Sequence, residues 1–135
     1  MTVLSPVQVL ERRRQVLAAQ DIDAFIELFA HDAVMELPFA GPGMPARLAG
    51  QAAIREFSRR SQTLPLRVDD LVTTSLYETS DPELVVIEIV TKGTLTTTGQ
   101  TFEAPCIQVF RIRDGQIHLM RDYFNPVGLT DLLSH

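Results

Sequence analysis

The sequence predicts an α+β fold in which N-terminal helices pack on one face of a curved, mainly antiparallel sheet. Residues before Pro65 show helical spacing with helix caps, whereas residues after it form β-rich segments separated by turn signals. Helices followed by a run of strands are typical of this class. The length of 135 residues suits one domain over residues 1–135, with a core large enough to leave room for a pocket.

Three helices are predicted in the first half of the chain. Ser5-Pro6 joins a capping side chain to a proline that suits the first helical turn, and apolar heptad spacing continues to about Ala19. Asp21 caps a second, short helix, and residues 50–60 have the pattern of a third. The inward residues of these two helices are predicted to be Ala24, Phe25, Leu28, Phe29, Ala53, Ile54 and Phe57.

A short strand at residues 33–37 and a long loop at residues 38–45 lie between the second and third helices. The loop contains three prolines and two glycines, which break regular structure. Its prolines also remove the backbone donors that a phosphate-binding loop needs. As the longest loop, it is a candidate lid for a pocket.

Four strands follow, at residues 66–79, 84–96, 101–112 and 116–124, and they are rich in Val, Ile, Thr and Phe. The turn signals between them are Ser80-Asp81-Pro82, Thr98-Gly99 and Asp114-Gly115, which predict an antiparallel meander. Residues 129–133 indicate a short terminal helix. A sheet of this kind that curls around a helix encloses a cavity suited to a small molecule.

Composition and charge argue against several partners. The net charge of −5 disfavours nucleic acid, and we interpret the arginines at residues 12–14 and at 59–60 as solvated helix faces. No apolar run approaches the roughly 20 residues that span a bilayer, and the N-terminus lacks the apolar core of a signal peptide. We therefore expect a cytoplasmic protein without a nucleic-acid or membrane partner.

Metal and cofactor sites are not predicted. Three separated histidines have no paired spacing, so a zinc site is not expected. A single cysteine, Cys106, excludes an intrachain disulfide and cannot form a metal cluster by itself.

The hexapeptide Arg-Asp-Tyr-Phe-Asn-Pro at residues 121–126 aims a carboxylate at an apolar face. With period 2, His118, Met120, Asp122 and Phe124 share one face of the last strand. A carboxyl group removed from water has a raised pKa, which suits proton transfer near neutrality. Asp122 is therefore the predicted general acid or base, and an ion-paired or hydrogen-bonded structural acid is the alternative.

His118 is the second candidate catalytic residue. It lies about 13 Å along the strand from Asp122 at 3.3 Å per residue, which is too far for a direct dyad. It is predicted to contact another part of a substrate, and the alternative is a structural histidine near the rim of the sheet.

The order of elements, together with the segments at residues 21–23, 28–34, 48–54 and 121–126, resembles the SnoaL-like polyketide cyclase family. That family belongs to the superfamily of ketosteroid isomerases, limonene epoxide hydrolases, scytalone dehydratase and nuclear transport factor two. The resemblance covers nearly the whole chain and implies a cone-shaped α+β barrel enclosing a pocket. It also implies a homodimer, but it does not specify one reaction, because the superfamily contains several enzyme types and non-enzymes.

The resemblance to the ketosteroid isomerases does not extend to their catalytic residues. Their general base, an aspartate before a proline, falls on Leu37, and their helix-borne tyrosine falls on Arg13. Their oxyanion-binding acid falls near Gln108, which retains a hydrogen-bond donor for a developing oxyanion. If Gln108 faces inward, Cys106 does so too, and we interpret Cys106 as a small buried hydrophobe.

The limonene epoxide hydrolases use an aspartate in a segment that matches Asp122. Their partner arginine and second aspartate fall near Ile89 and Thr91, and their water-holding residues fall near Met35 and Leu37. The matches therefore imply one acid in a largely apolar cavity. The phenazine-biosynthesis members look similar, since they place an acidic residue in a comparable segment before Asn-Pro.

The sequence thus predicts a cofactor-independent enzyme of the cyclase or isomerase type that acts on a small apolar oxygenated metabolite, such as a polyketide-type intermediate. Asp122 would move the proton, and Gln108 or His118 would orient a carbonyl or hydroxyl group. The alternatives are an epoxide hydrolase-like enzyme and a non-catalytic small-molecule-binding protein or dimeric scaffold. The predicted substrate-binding residues are Met35, Leu37, Phe57, Thr91, Gln108, Met120 and Phe124.

Overall fold

A computed structural model describes residues 2–134, which form four helices and six strands in that part of the chain. The elements in chain order are α1 (Pro6–Ala18), α2 (Ile22–Glu27), β1 (Phe29–Glu36), β2 (Arg47–Ala49), α3 (Gln51–Ser61), β3 (Leu66–Glu78), β4 (Leu84–Leu95), β5 (Thr101–Arg113), β6 (Gln116–Tyr123) and α4 (Pro126–Leu133). No helix in this range has the length and apolar character that a bilayer crossing needs.

The caps of α1 and α2 fix the N-terminal helical hairpin. Ser5 Oγ accepts from the Gln8 backbone N–H at 3.3 Å, and the Gln8 side chain accepts from the Ser5 backbone N–H at 2.9 Å. This capping box, with Pro6 in the first turn, starts α1. Gln20 then adopts a positive φ of 61°, and Asp21 caps α2 by accepting from the Ala24 N–H. The sequence-predicted hairpin is confirmed.

The six strands form one curved, open sheet in the order β2-β1-β6-β5-β4-β3. Strands β3 to β6 form the predicted antiparallel meander. Strand β1 pairs in parallel with β6, so the sheet is mixed at one end. Because the end strands β2 and β3 do not pair with each other, the sheet curls without closing.

Two predictions near β1 need correction. The strand begins at Phe29 and not at residue 33, because Phe29 pairs with Ile117 of β6 while also packing in the core. Strand β2 was not predicted, since three residues are too few to show an alternation pattern. It returns the chain along β1 after the loop at residues 38–45, which the Leu37 N–H closes by donating to the Ala46 carbonyl at 2.8 Å.

The core lies between the concave face of the sheet and helices α1 to α3. Its fully buried side chains include Phe29, Phe110, Ile26 and Ile117, each 0% exposed, and each contributes roughly 1.5–3 kcal/mol by burial. Phe25 meets Phe29 edge to face, with ring centroids 5.2 Å apart. The convex face of the sheet is not covered by any of these helices, so residues such as Ile107 remain 45% exposed.

Candidate active site

Two cavities open on the concave side of the sheet and meet at Asp122. Their volumes are about 300 Å³ and about 710 Å³, within the usual range for small-molecule sites. The residues common to both walls are Leu66, Val68 and Asp122. Asp122 is therefore the one ionisable side chain, among the described residues, that both cavities share.

All seven predicted substrate-binding residues lie on these walls. The larger cavity is lined by Met35, Leu37, Phe57 and Met120, and the smaller one by Thr91, Gln108 and Phe124. Alternation along the strands explains the placement of Met35, Thr91, Gln108 and Met120 on the concave face. Leu37 and Phe124 directly follow β1 and β6, and Phe57 reaches the wall from α3. Their contact with a substrate stays a prediction.

The carboxyl group of Asp122 is held opposite Gln108. These two residues are direct partners across β5 and β6, so their side chains stand side by side on one face. Asp122 Oδ1 is buried without a hydrogen-bond partner. Burial raises the pKa of Asp122 above its ordinary value, although the positive charge of Arg13 and the neighbouring Gln108 and Cys106 side chains oppose that rise.

Arg13 was wrongly interpreted as part of a solvated helix face. Its side chain is only 4% exposed, and Nη2 donates to Gln108 Oε1 at 2.6 Å. The guanidinium carbon lies 5.0 Å from the centroid of the Phe110 ring, a cation–π arrangement. Burial lowers the pKa of Arg13 to about 10, so the side chain stays positively charged near neutrality.

A signal for the burial of Arg13 was present in the sequence. It lies four residues after Val9 and three before Val16, on the same side of α1 as these buried residues. The neighbouring Arg12 is exposed as predicted, and Arg14 pairs with Glu11 at 2.6 Å. The spacing of residues along the helix therefore distinguishes the buried Arg13 from Arg12 and Arg14, whereas the run of three charges by itself does not.

His118 does not lie on the predicted face. The pairing of β5 with β6 passes from Arg111 opposite Leu119 to Ile112 opposite Ile117, which leaves His118 as an extra residue in a β-bulge. The bulge turns Ile117 into the core, where it is 0% exposed. His118 lines neither of these two cavities, so the structure does not bring it together with Asp122, and its contact with a substrate stays a prediction.

Cys106 lies on the wall of the smaller cavity with Gln108, as the parity of β5 predicted. Burial raises the pKa of its thiol to about 12, and the charge of Asp122 adds to the effect. Because only the thiolate is a strong nucleophile, this environment does not suit covalent catalysis by Cys106.

The wall of the smaller cavity is completed by α4, which the sequence predicted only from residue 129. Asn125 caps this helix by accepting from the Val127 and Gly128 N–H groups, and Pro126 occupies its first turn. Gly128, Leu129 and Leu132 face the cavity. The loop at residues 38–45 lines neither cavity, so its predicted role as a lid over them is not supported by its position.

Comparison with known proteins places this chain in a family. The sequence profile of the SnoaL-like domain family matches residues 10–120. An uncharacterized PhzA/B-like protein of Pseudomonas aeruginosa is 34% identical over 127 residues, which cover 93% of this chain and 88% of that protein. The YesE protein of Bacillus subtilis is 28% identical over 124 residues, which cover 92% of this chain and 84% of the other.

Solved structures show the same fold. A proposed isomerase from Bacillus subtilis superposes with a TM-score of 0.87 at 26% identity, covering 95% of this chain and 91% of the other. A proposed polyketide cyclase from Pseudomonas putida gives a TM-score of 0.77 at 19% identity, with 96% and 98% covered. The profile match and the identity to the Pseudomonas aeruginosa protein show that this chain belongs to the SnoaL-like domain family.

Proposed function

We propose that this protein is a cofactor-independent enzyme of the cyclase or isomerase type, with Asp122 as its general acid or base. Its substrate is a small, largely apolar oxygenated metabolite, such as a polyketide-type intermediate. The likeness to a proposed isomerase at 26% identity supports this class of reaction.

One observation carries the proposal: the buried, unpartnered carboxyl oxygen of Asp122 lies where two mainly apolar cavities meet. A structural acid in such a place would normally be hydrogen-bonded or ion-paired, because an unpaired buried charge is costly. The nearby arginine on β6, Arg121, pairs with Glu36 at 3.0 Å and not with Asp122. Oδ1 of Asp122 is thus available for a proton, although the charge of Arg13 acts on the carboxyl group.

The part of Asp122 in the proposed reaction is proton transfer. Asp122 in its charged form removes a proton from the carbon beside a substrate carbonyl. The electron pair of that C–H bond forms the C=C bond of an enolate, and the carbonyl oxygen takes the negative charge. The protonated Asp122 then returns the proton to another carbon in an isomerisation, or to the alkoxide oxygen formed when the enolate attacks a carbonyl in a cyclisation.

The paired cavities limit the shape of the substrate. A molecule that fills both would place its reacting centre at Asp122 and its ends against opposite apolar walls. The walls include Phe57 and Met120 in the larger cavity and Phe102 and Leu129 in the smaller one. We therefore expect an elongated molecule with its oxygen-bearing carbon near the middle.

The test is deuterium exchange in a panel of elongated apolar ketones and β-keto esters in D₂O, followed by proton NMR. The wild-type protein should speed deuterium incorporation beside a carbonyl in at least one compound. Asp122→Asn should slow that exchange by about 10²- to 10⁴-fold, the usual contribution of a general base.

The matched control is Asp114→Asn, which makes the same chemical change in the exposed β5–β6 turn. It should exchange as fast as the wild type, because Asp114 lies in neither cavity wall. Equal exchange by Asp122→Asn and the wild type would overturn the proposed function. Tight binding of a compound without any exchange would favour a binding protein.

We further propose that the protein is a homodimer that pairs through the convex face of its sheet. This face carries Tyr77 and Ile107, which are 50% and 45% exposed, and beside it Phe39 is 56% exposed and packs on Tyr123. A contiguous exposed apolar patch commonly marks a protein interface. A second copy of the same face would cover it.

A further inference from the structure

We propose that Arg13 is a positioning residue that holds the Gln108 amide with its oxygen on the guanidinium and its N–H groups toward Asp122. In this arrangement Gln108 binds the oxyanion that forms when Asp122 removes a proton. The inference rests on the proposed function, because an oxyanion forms only if that proton is removed.

The orientation of the Gln108 amide follows from hydrogen-bond chemistry. A guanidinium group has donors and no acceptor, so the Gln108 atom that lies 2.6 Å from Arg13 Nη2 must be the oxygen. The amide nitrogen then points away from Arg13. Since Gln108 and Asp122 are direct partners across β5 and β6, and Gln108 lines the smaller cavity with Asp122, its N–H groups are directed to the same space as the carboxylate.

The burial of Arg13 indicates that its charge has a role. Arg13 and Gln108 are 4% and 3% exposed, and Arg13 Nε has no hydrogen-bond partner among the described residues. Burying a charged group is unfavourable, and an apolar residue of similar volume is often as stable or more so. Arg13 lines neither cavity, so any effect on a substrate passes through Gln108 or Asp122.

The positive charge strengthens Gln108 as a donor. A hydrogen bond accepted by the amide oxygen polarises the amide, so its N–H groups bind a negative oxygen more strongly, above all at low dielectric. The same charge lowers the pKa of Asp122 against the effect of burial. The charge of Arg13 therefore stabilises the ionised form of Asp122 before the proton moves, and it stabilises the oxyanion through Gln108 afterwards.

Few other ionisable groups act on this site. In the described chain, Arg13 approaches Asp122 from α1 and Cys106 approaches it from β5. The remaining charged residues of the two cavity walls, Arg67 and Glu103, are exposed and lie next to Asp69 and Lys92 respectively. A change in the titration of Asp122 on replacing Arg13 is thus attributable to Arg13.

The test compares the binding of 4-nitrophenolate, an oxyanion, with that of nitrobenzene, a neutral compound of similar shape. It uses the Asp122→Asn background, where no carboxylate repels the anion. The ratio of the two affinities should fall by about tenfold or more when Arg13→Met is added, because a hydrogen bond to a charged group is lost or weakened. Gln108→Leu should lower it similarly, and both changes together should lower it no further, since the two residues act as a unit.

Gln108→Met serves as a second variant if Arg13→Met does not fold. It keeps about the same side-chain length, adds no charge and removes the N–H donors, so the phenolate preference should be lost. In the otherwise wild-type chain, carbon NMR should show a higher pKa for Asp122 in Arg13→Met. An unchanged affinity ratio in Arg13→Met, or in Gln108→Met, would overturn the inference, whatever the deuterium exchange of Asp122→Asn shows about the proposed function.

Discussion

Arg13 is buried and Asp122 is half-buried with one buried carboxyl oxygen, and burial and charge have opposing effects on the pKa of each. Removal from water raises the pKa of Asp122 and lowers that of Arg13, while their mutual attraction works in the other direction for both. For Asp122 the effect of burial is the larger one. The charged form of Asp122 is therefore energetically unfavourable in this site, as is common for groups in acid/base sites.

The raised pKa of Asp122 predicts how stability depends on pH. Between the unfolded pKa of about 3.9 and the higher folded value, the folded protein binds more protons than the unfolded chain, so stability falls as pH rises. Asp122→Asn lacks this loss. The difference in unfolding free energy between Asp122→Asn and the wild type should therefore increase, in favour of the variant, as pH rises across that interval. The increase is about 1.4 kcal/mol for each pKa unit between the folded and unfolded states. Urea unfolding from pH 3 to pH 8 measures it.

Asp81→Asn is a control of opposite sign. The hydrogen bond from Arg111, at 2.8 Å, lowers the pKa of Asp81, so this carboxylate stabilises the protein above its unfolded pKa, and the benefit is lost in acid. The variant should be less stable than the wild type at neutral pH, with a difference that disappears at low pH. Parallel stability curves for Asp122→Asn and the wild type would contradict a raised pKa of Asp122.

Irregularities within strands decide how the elements place the site. The bulge at His118 in β6 moves Ile117 into the core, and a second irregularity in β3 lies between Val68 and Asp70. Opposite this second irregularity, Gly93 of β4 lets the ring of Phe102 lie across the backbone. Bulges of this kind increase the local twist of a sheet and so help it to curl around the cavities.

Gly93→Ala should destabilise the protein by about 1–3 kcal/mol, the usual cost of overpacking. A Cβ atom at this position would lie 2.6 Å from the Arg67 carbonyl oxygen and would overlap the Phe102 ring. Because Phe102 also lines the smaller cavity, ligand binding there should weaken too. Thermal unfolding measures the loss of stability. Gly41→Ala is the control and should leave the melting temperature unchanged, because Gly41 has open space around it. Equal melting temperatures of the two variants would argue against tight packing at Gly93.

At the scale of the whole molecule, the helices cover only one side of the sheet. The concave side holds the core and the cavities, whereas the convex side exposes Tyr77 of β3 and Ile107 of β5. Such an arrangement leaves apolar side chains in contact with water, which is unfavourable. The assembly that we propose would bury it.

Sedimentation should therefore show a dimer of the wild-type protein at micromolar concentration. Ile107→Glu would place a charge in the centre of the proposed interface and should give monomers without loss of secondary structure. Val7→Glu is the matched control and should remain dimeric, because Val7 is 50% exposed on α1, away from the convex face. A wild-type protein that sediments only as a monomer would rule out the proposed dimer.

The sequence by itself determined the order of the helices, the four meander strands and the inward direction of Asp122. These features depend on local rules: caps and prolines start helices, turn residues separate strands, and alternation assigns faces over a few residues. The resemblance added the SnoaL-like family, which the profile match over residues 10–120 confirms. It rested on the order of elements and on the segments at residues 21–23, 28–34, 48–54 and 121–126. The seven wall residues follow from the same rules once the fold is known.

Only the tertiary structure decided the contact of Arg13 with Gln108, the bulge at His118 and the pairing of β2 with β1. Arg13 and Gln108 are 95 residues apart in the sequence, and their contact exists because α1 packs across the concave face of the sheet. A bulge depends on how two strands share their hydrogen bonds, so alternation along one strand does not reveal it. The sequence thus identified Asp122 as the candidate acid, whereas the packing of distant elements places the charge of Arg13 and the amide of Gln108 beside it.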